Sequence, residues 1–534
     1  MRPRRDPALA RRWASVLAVG GGLVGVLAFP RFGIWPLAAV SVALLCVAVD
    51  GHRSRTGAWL GYLYGLAFML PLVSWTGIYV GPVPWLLLCA AEAAFFALLG
   101  AILPVLARFR FFPFWVGCAW VLQEFLRDRV PFGGFPWGRL AFSQSESPVR
   151  WFAALGGAPL VTFVVAVAGG GLAAAAWAAR PLRRGALAGG VAATAVVPLL
   201  GLLLAVPLAP GPAGPGHTTT VAVIQGGLPD LGLAFESRAR QVLDNHVRQT
   251  LRLAREIRSG AVPRPSLVLW PENASDVDPF RDTAAYAEIS HAARAVGAPI
   301  LVGAILQGPG PDHRRNVGIL WSPTTGPGAE YVKRHPVPFA EYIPLRSIAE
   351  AVNSDAKTVV DMVGGSGDGL LRGGPVPIGD VICFEVAYDG LVRSSVAAGA
   401  QLLVVQTNNA TFGHTAETYQ QLAMSQLRAV EAGRTVVQVA TTGLSAVIAP
   451  DGTVTDRSGP LFAPAILDDR VPVRTQLTLA TRLGALPEFV LAGFAVAGLA
   501  VAAAISVRSR RERRSGAPAT DAAGPAARER VGTT

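Results

Sequence analysis

Long apolar runs open the chain, and shorter ones of a different period follow. Seven apolar stretches precede residue 210, at about 13–29, 33–49, 57–80, 83–107, 111–126, 158–178 and 185–208, and an eighth covers about 482–506. Each approaches the roughly 20 residues an α-helix needs to cross hydrocarbon. Between 211 and 480 the runs shrink to strand length: TVAVIQG (220–226), SLVLWPE (266–272), PILVGAIL (299–306), RNVGILWSP (315–323), DVICFEV (380–386), LLVVQTN (402–408) and TVVQVATTGLSAVIAP (435–450). Helical patterns separate them. Leu243, Val247, Leu251, Ala254 and Ile257 share one face over 235–259, and 281–296 and 415–433 also read as helices. The pattern predicts a polytopic helical membrane domain with eight spans, joined to a layered α/β domain with buried sheets.

Composition agrees with a chain divided between lipid and water. Of 534 residues 51% are hydrophobic and 15% charged. The net charge of +12 invites a nucleic-acid reading, but the arginines cluster as MRPRR, HRSR, RFR, RPLRR and RSRRERR, each beside an oily segment. Such clusters act as topology signals, because basic loops stay in the cytoplasm. With eight spans the N-terminus, 50–55, 108–110, 180–184 and 507–514 share one side, which places 211–480 outside the cytoplasm. A cleaved signal peptide is the competing account of the first segment; the spans behind it favour a retained anchor. The expected organisation is 1–210 membrane domain with about seven spans, 211–480 extracytoplasmic domain, 481–507 last span and 508–534 a disordered basic cytoplasmic tail.

Candidate chemistry lies at strand ends, where layered α/β folds collect polar groups. SLVLWPEN delivers Glu272, EYVKRHPVPFAEYIP delivers Lys333 and Glu341, and DVICFE delivers Cys383 and Glu385. Cys383 is one of four cysteines; the other three lie in apolar segments, and no ligand spacing for a metal occurs. An unpaired thiol in an external domain is either a buried structural residue or a nucleophile. Of 47 Lys+Arg only Lys333 and Lys357 are lysine, so a compact ammonium retained at 333 hints at a specific need, with chance as the alternative. A carboxylate to take the thiol proton and a cation to hold an oxyanion would suit acyl transfer. His335 is the rival base.

At these motifs the sequence resembles the nitrilase, or carbon–nitrogen hydrolase, superfamily, and with its membrane flanks it resembles the apolipoprotein N-acyltransferase family. GFPWGRLAFSQ (134–144), VIQGGLPD (223–230), LWPEN (269–273), YVKRHPVPFAEYIP (331–344), ICFE (382–385) and QLAMSQLRAVEAGR (421–434) carry the likeness, from about residue 13 to 506. The resemblance implies an αββα sandwich. It makes Glu272 the general base, Cys383 the nucleophile and Lys333 the oxyanion stabiliser. Glu341 would support the lysine, the backbone N–H of Phe384 would complete the oxyanion site, and Glu385 would act behind the site unless it is a solvated strand-end carboxylate. Asn316 would position a neighbour or cap a turn. Where relatives often carry Gly, Asp and Trp, this chain has Ala340, Asn409 and Thr411.

The implied reaction moves a fatty acyl chain from a membrane phospholipid to a diacylated apolipoprotein, without cofactor or metal, in a monomer of the cell membrane. The loop 127–157, with Pro136, Trp137 and Phe142, is expected at the lipid headgroups. The stripe Leu345, Ile348, Ala349 and Val352 in 343–363 is either an amphipathic lid or core. A membrane-anchored amidase acting on a small amide is the alternative enzyme. A transporter or receptor is the non-catalytic one, and few intramembrane charges, chiefly Glu92 and Glu124, support it.

Overall fold

A computed structural model of the chain describes residues 9–78, 81–178, 184–209, 217–228, 235–352 and 354–515. Helices Arg11–Ala28, Leu37–Val49, Ser54–Leu72, Pro82–Leu106, Phe112–Arg127, Ala153–Ala178 and Arg184–Leu208 form the first part, and Leu486–Ser515 returns to pack on them. Among the described residues three segments are long and apolar enough to cross a membrane: Pro82–Leu106, Pro148–Trp177 and Leu486–Ser509. The expected second span is shorter than its apolar run: its helix begins after Pro36, which has no N–H to continue one from before. The expected third ends at Leu72, just past Pro71, and resumes only as the 3-10 turn Ser74–Gly77. Of the basic loop 180–184 only Arg184 is described. Within the tail expected to be disordered, residues up to Ser515 continue the last helix, as their Arg and Glu content favours, and 516–534 lie outside the described residues.

Glycine sets the closest helix contact. Gly57, Gly61 and Gly65 recur every fourth residue on Ser54–Leu72 and face Pro82–Leu106. A Cβ on Gly57 would lie 2.1 Å from the Gly100 carbonyl oxygen, and one on Gly61 2.1 Å from that of Phe96. Small residues let two backbones meet where no water-driven burial is available.

The second part is two six-stranded mixed sheets. One runs Ala465–Pro472, Thr218–Gln225, Leu267–Leu269, Ile300–Gln307, Arg314–Ser322, Gly326–Val332; the other runs Val454–Arg457, Ala446–Ile448, Val436–Ala440, Leu402–Thr407, Ile378–Ile382, Leu370–Leu371. Strand alternation assigns the layers. Val221, Val223, Leu267 and Leu269 face Ile382, Leu402, Val404 and Val437 between the sheets. Ala222, Ile224, Val268 and Val302 turn outward under helices Phe235–Arg258 and Thr283–Val296. Leu403 and Val405 turn outward under Asp389–Ala397 and Glu417–Ala432. The run 435–450, expected as one strand, is a hairpin folded over Thr441–Ser445, where its Thr-Thr-Gly breaks the apolar pattern.

The two parts meet through buried charge. Arg139 reaches Asp389 at 2.9 Å, Asp128 at 3.2 Å and Glu124 at 3.4 Å, and Arg428 reaches the same Asp389 oxygen at 2.7 Å and also pairs with Glu431. Glu92 pairs with Arg127, so both intramembrane acids are matched by arginines at the end of Phe112–Arg127 and just beyond it. Trp137 and Phe142, expected at the headgroups, are instead buried with Pro136: Trp137 stacks on Phe384, and Phe142 lies beneath the Arg139 and Arg428 guanidiniums. An indole donor with a protein acceptor no longer needs the interface, and Trp137 Nε1 donates to Gln420 Oε1 at 2.6 Å. Arg139→Leu would take a buried cation from Glu124 and Asp128, leaving Asp389 with Arg428 alone, and should lower stability by about 3–5 kcal/mol. Thermal unfolding in detergent should show a markedly lower midpoint, partly recovered in Arg139→Lys; an unchanged midpoint would refute the charged joint.

Candidate active site

Glu272 follows the strand Leu267–Leu269 by three residues. Pro271 cannot donate to a ladder, and Asn273 has φ +58°, so the chain turns sharply and leaves the carboxylate at the strand end. Lys333 directly follows Gly326–Val332, and Asn316 lies within the neighbouring Arg314–Ser322. These groups converge. Lys333 Nζ donates to Glu272 Oε1 at 3.0 Å and to Glu341 Oε1 at 2.9 Å. Asn316 Nδ2 donates to the same two oxygens, at 2.7 and 3.1 Å. The backbone N–H of Val337 donates to Glu341 Oε2 at 2.7 Å and that of Asn408 to Glu272 Oε2 at 3.0 Å. Asn316 is therefore no turn cap: it sits mid-strand and ties both acids together. Burial opposes the charge on Lys333, but Glu272 and Glu341 outweigh it and hold its pKa well above the usual value.

Cys383 belongs to the other sheet, where it ends Ile378–Ile382 and begins the 3-10 turn Cys383–Ala387. Its φ of +54° is rare for a side chain with a Cβ, and such backbone strain gathers at functional sites. Arg428 grips the far end of the turn by donating to Val386 O at 2.8 Å and Ala387 O at 2.9 Å. The residue is partly exposed. Burial raises its pKa, the Glu272 charge raises it further, and Lys333 pulls the other way without prevailing. The group therefore rests as a thiol, although a neighbouring cation alone would favour the thiolate. Among the described residues its hydrogen-bonding neighbours are Thr407 Oγ1 at 3.5 Å and Gln421 Nε2 at 3.6 Å.

Glu385 is no solvated carboxylate; it is fully buried. It accepts from Ile382 N at 2.9 Å, Arg334 N at 2.7 Å, His335 N at 3.1 Å and Tyr331 Oη at 2.9 Å. Those bonds join the cysteine turn to the backbone just after Lys333, across the two sheets. Phe384 packs its ring on Trp137, while its N–H lies in the first turn of the 3-10 segment, where helices leave donors free. His335 packs against Tyr388 with ring centroids 4.0 Å apart and planes tilted by 42°, and burial, then Lys333 and Arg334, lower its pKa. Leu345 and Ile348 are 63% and 61% exposed and so are not core; they lie just before and within the seven-residue helix Arg346–Val352. Phe132 meets Phe339 at 6.0 Å. The sequence reading passed over Thr407, Asn408, Gln421 and Tyr331. LLVVQTN already placed Thr407 and Asn408 at a strand end, the same signal that singled out Glu272 and Cys383. Among the described residues no group of His, Cys, Asp or Glu is arranged to hold a metal ion.

Comparison with known proteins follows the same division. Residues 21–171 match the apolipoprotein N-acyltransferase N-terminal domain, and residues 220–467 match carbon–nitrogen hydrolase. The apolipoprotein N-acyltransferase of Mycolicibacterium smegmatis is 41% identical over 501 residues, covering 91% of this chain and 84% of that protein. That of Azotobacter vinelandii is 31% identical over 95% of this chain and 98% of its own length. Among solved structures, a Nesterenkonia AN1 amidase of the nitrilase superfamily is 23% identical and covers 49% of this chain and 94% of its own, with a TM-score of 0.36. With both of its parts matched in order and full-length relatives at this identity, the chain belongs to the apolipoprotein N-acyltransferase family.

Proposed function

We propose that this chain transfers a fatty acyl group from a membrane phospholipid to the α-amine of the N-terminal S-diacylglyceryl cysteine of lipoproteins, through a thioester on Cys383. It is an acyltransferase, and lipoprotein N-acylation is its reaction. The observation that carries the finer reading is the buried Lys333–Glu272–Glu341 cluster lying within electrostatic reach of a cysteine held at positive φ.

Because the sulfur rests protonated, proton removal accompanies attack. Glu272 takes the thiol proton as sulfur bonds to the ester carbonyl carbon. The carbonyl oxygen gains negative charge, opposite the Lys333 ammonium and the Phe384 N–H. Collapse breaks the carbon–oxygen bond, and the lysophospholipid leaves with the proton from Glu272. In the second half the lipoprotein amine attacks the thioester, Glu272 takes a proton from nitrogen, and the C–S bond breaks to release the amide. The sulfur recovers its proton from Glu272. Two easier steps replace one hard one. Glu341 and Asn316 hold the lysine and the base in register, and Glu385 fixes the lysine segment against the nucleophile turn.

Lipid substrates account for the helical part. We assign eight membrane crossings, with the basic loops in the cytoplasm and the catalytic part outside, in the cell membrane. The domain limits near 210, 480 and 507 follow from that assignment. Phe132, Phe339, Leu345 and Ile348 would receive acyl chains at a lateral opening. The protein acts as a monomer.

Membranes given a diacylated lipopeptide should yield a product whose N-terminus is heavier by one acyl group, read by mass spectrometry. Labelled acyl should be trapped on Cys383 and released by hydroxylamine, and Cys383→Ala should abolish both signals. Continued acylation by that variant would end the thioester scheme. The charge balance gives a second expectation. Glu272→Gln should slow acyl transfer by about 10²–10⁴-fold, as loss of a general base does. The same change removes a negative charge that raises the thiol pKa, so alkylation of Cys383 should become faster at any given pH. Slower alkylation in this variant would contradict the arrangement.

A further inference from the structure

The Lys333 cluster supplies a base and a cation, yet the groups touching the sulfur come from elsewhere. Among the described residues Thr407 and Gln421 are the two polar side chains at hydrogen-bonding distance from Cys383 Sγ, and both are fully buried. A threonine hydroxyl has one proton to give. Thr407 Oγ1 lies 2.8 Å from Gln421 Oε1, an ordinary O–H···O length, and 3.5 Å from the sulfur, so its proton goes to the glutamine. Gln421 Oε1 accepts a second bond from Asn409 Nδ2, at 3.0 Å. Turning the amide over would set its NH2 against both donors, so its orientation is locked with Nε2 towards the sulfur. Asn409 is locked in turn, because its Nδ2 also donates to the buried Glu417 Oε2 at 2.7 Å.

We propose that Gln421 is a further catalytic residue, whose Nε2–H donates to Cys383 sulfur whenever that sulfur bears negative charge, with Asn409 and Glu417 as positioning residues behind it. The proposal rests on Cys383 being the acyl carrier. Sulfur gains charge twice in that cycle, once as it loses its proton to attack and once as it leaves with the C–S electron pair. Glu272 faces it with negative charge and Lys333 with positive charge, both through space, while Glu417, whose pKa burial raises to about 8, adds negative charge only above that pH. The Gln421 N–H is the neutral donor in contact, and a hydrogen bond strengthens when its acceptor becomes an anion. One donor therefore assists both half-reactions, as the nucleophile forms and as it departs.

The full-length enzyme in detergent, alkylated with iodoacetamide across a range of pH, reads this bond without any acyl transfer. Gln421→Met keeps the bulk and removes the N–H. Gln421→Glu keeps an acceptor for Thr407 and Asn409 but turns an oxygen to the sulfur. Both should shift the alkylation profile to higher pH, by about one unit for Met, the worth of one hydrogen bond to a charged group. Acyl-enzyme formation should slow about tenfold or more, with KM for phospholipid little changed. A wild-type alkylation profile in either variant would overturn the role of Gln421 whether or not Cys383 carries the acyl chain. A shift produced by Thr407→Val, with none from the Gln421 variants, would pass the role to the hydroxyl and refute the proposal equally. If Gln421→Met does not fold, the near-isosteric glutamate variant decides alone. Loss of the hydroxylamine-sensitive acyl signal in the wild type would instead refute the thioester and leave the hydrogen bond standing.

Discussion

An ammonium ion taken out of water has to be matched by charge at close range, and Lys333 imposes that condition on everything around it. Glu272 and Glu341 supply the match, Asn316 binds the two acids to each other, and Glu385 holds the backbone on the far side of the lysine. Four segments remote in sequence are thereby brought to one point, since withdrawing any of them would leave a buried charge or donor unserved. Two carboxylates against one ammonium leave the cluster negative. Burial, with that excess, keeps the cysteine protonated, so the same constraint that assembles the site also sets the resting state of its thiol.

The membrane-facing and catalytic parts are joined by polar contacts inside an apolar surround. Helix Glu417–Ala432 is at the centre of the joint, with every residue but Tyr419 buried. Gln420 accepts from Trp75 and Trp137 and donates to the Leu72 carbonyl, so it belongs to the helical part, while Arg428 grips the nucleophile turn. Directional bonds of this kind fix the register between two parts in a way that apolar contact alone does not.

Much of this was legible in the sequence because periodicity reports burial. The α/β strands with continuous apolar runs were visible, and so were Glu272 and Cys383, each a polar residue ending such a run, while Lys333 stood out as one of two lysines in a chain rich in arginine. What escaped has physical reasons. Gly326–Val332 and Val454–Arg457 are sheet edges with exposed positions, so their patterns carry little apolar signal. Trp137 and Phe142 looked interfacial because an aromatic in a loop carries no mark of what covers it, and here the covering comes from Phe384 and Arg428, more than two hundred residues away. Glu385 looked the same as a solvated acid, since its four donors are mostly backbone N–H groups. Thr407 and Gln421 meet only because a strand and the following helix fold onto the same cysteine.

The adjacency of Gln420 and Gln421 has a consequence for modularity. One side chain is anchored to the tryptophans of the helical part and the next one points at the sulfur, on a single helix. A fragment cut out at the start of the sandwich would keep Glu272, Lys333 and Cys383 and lose the wall that aims this helix. The helical bundle is thereby part of the tool rather than its handle.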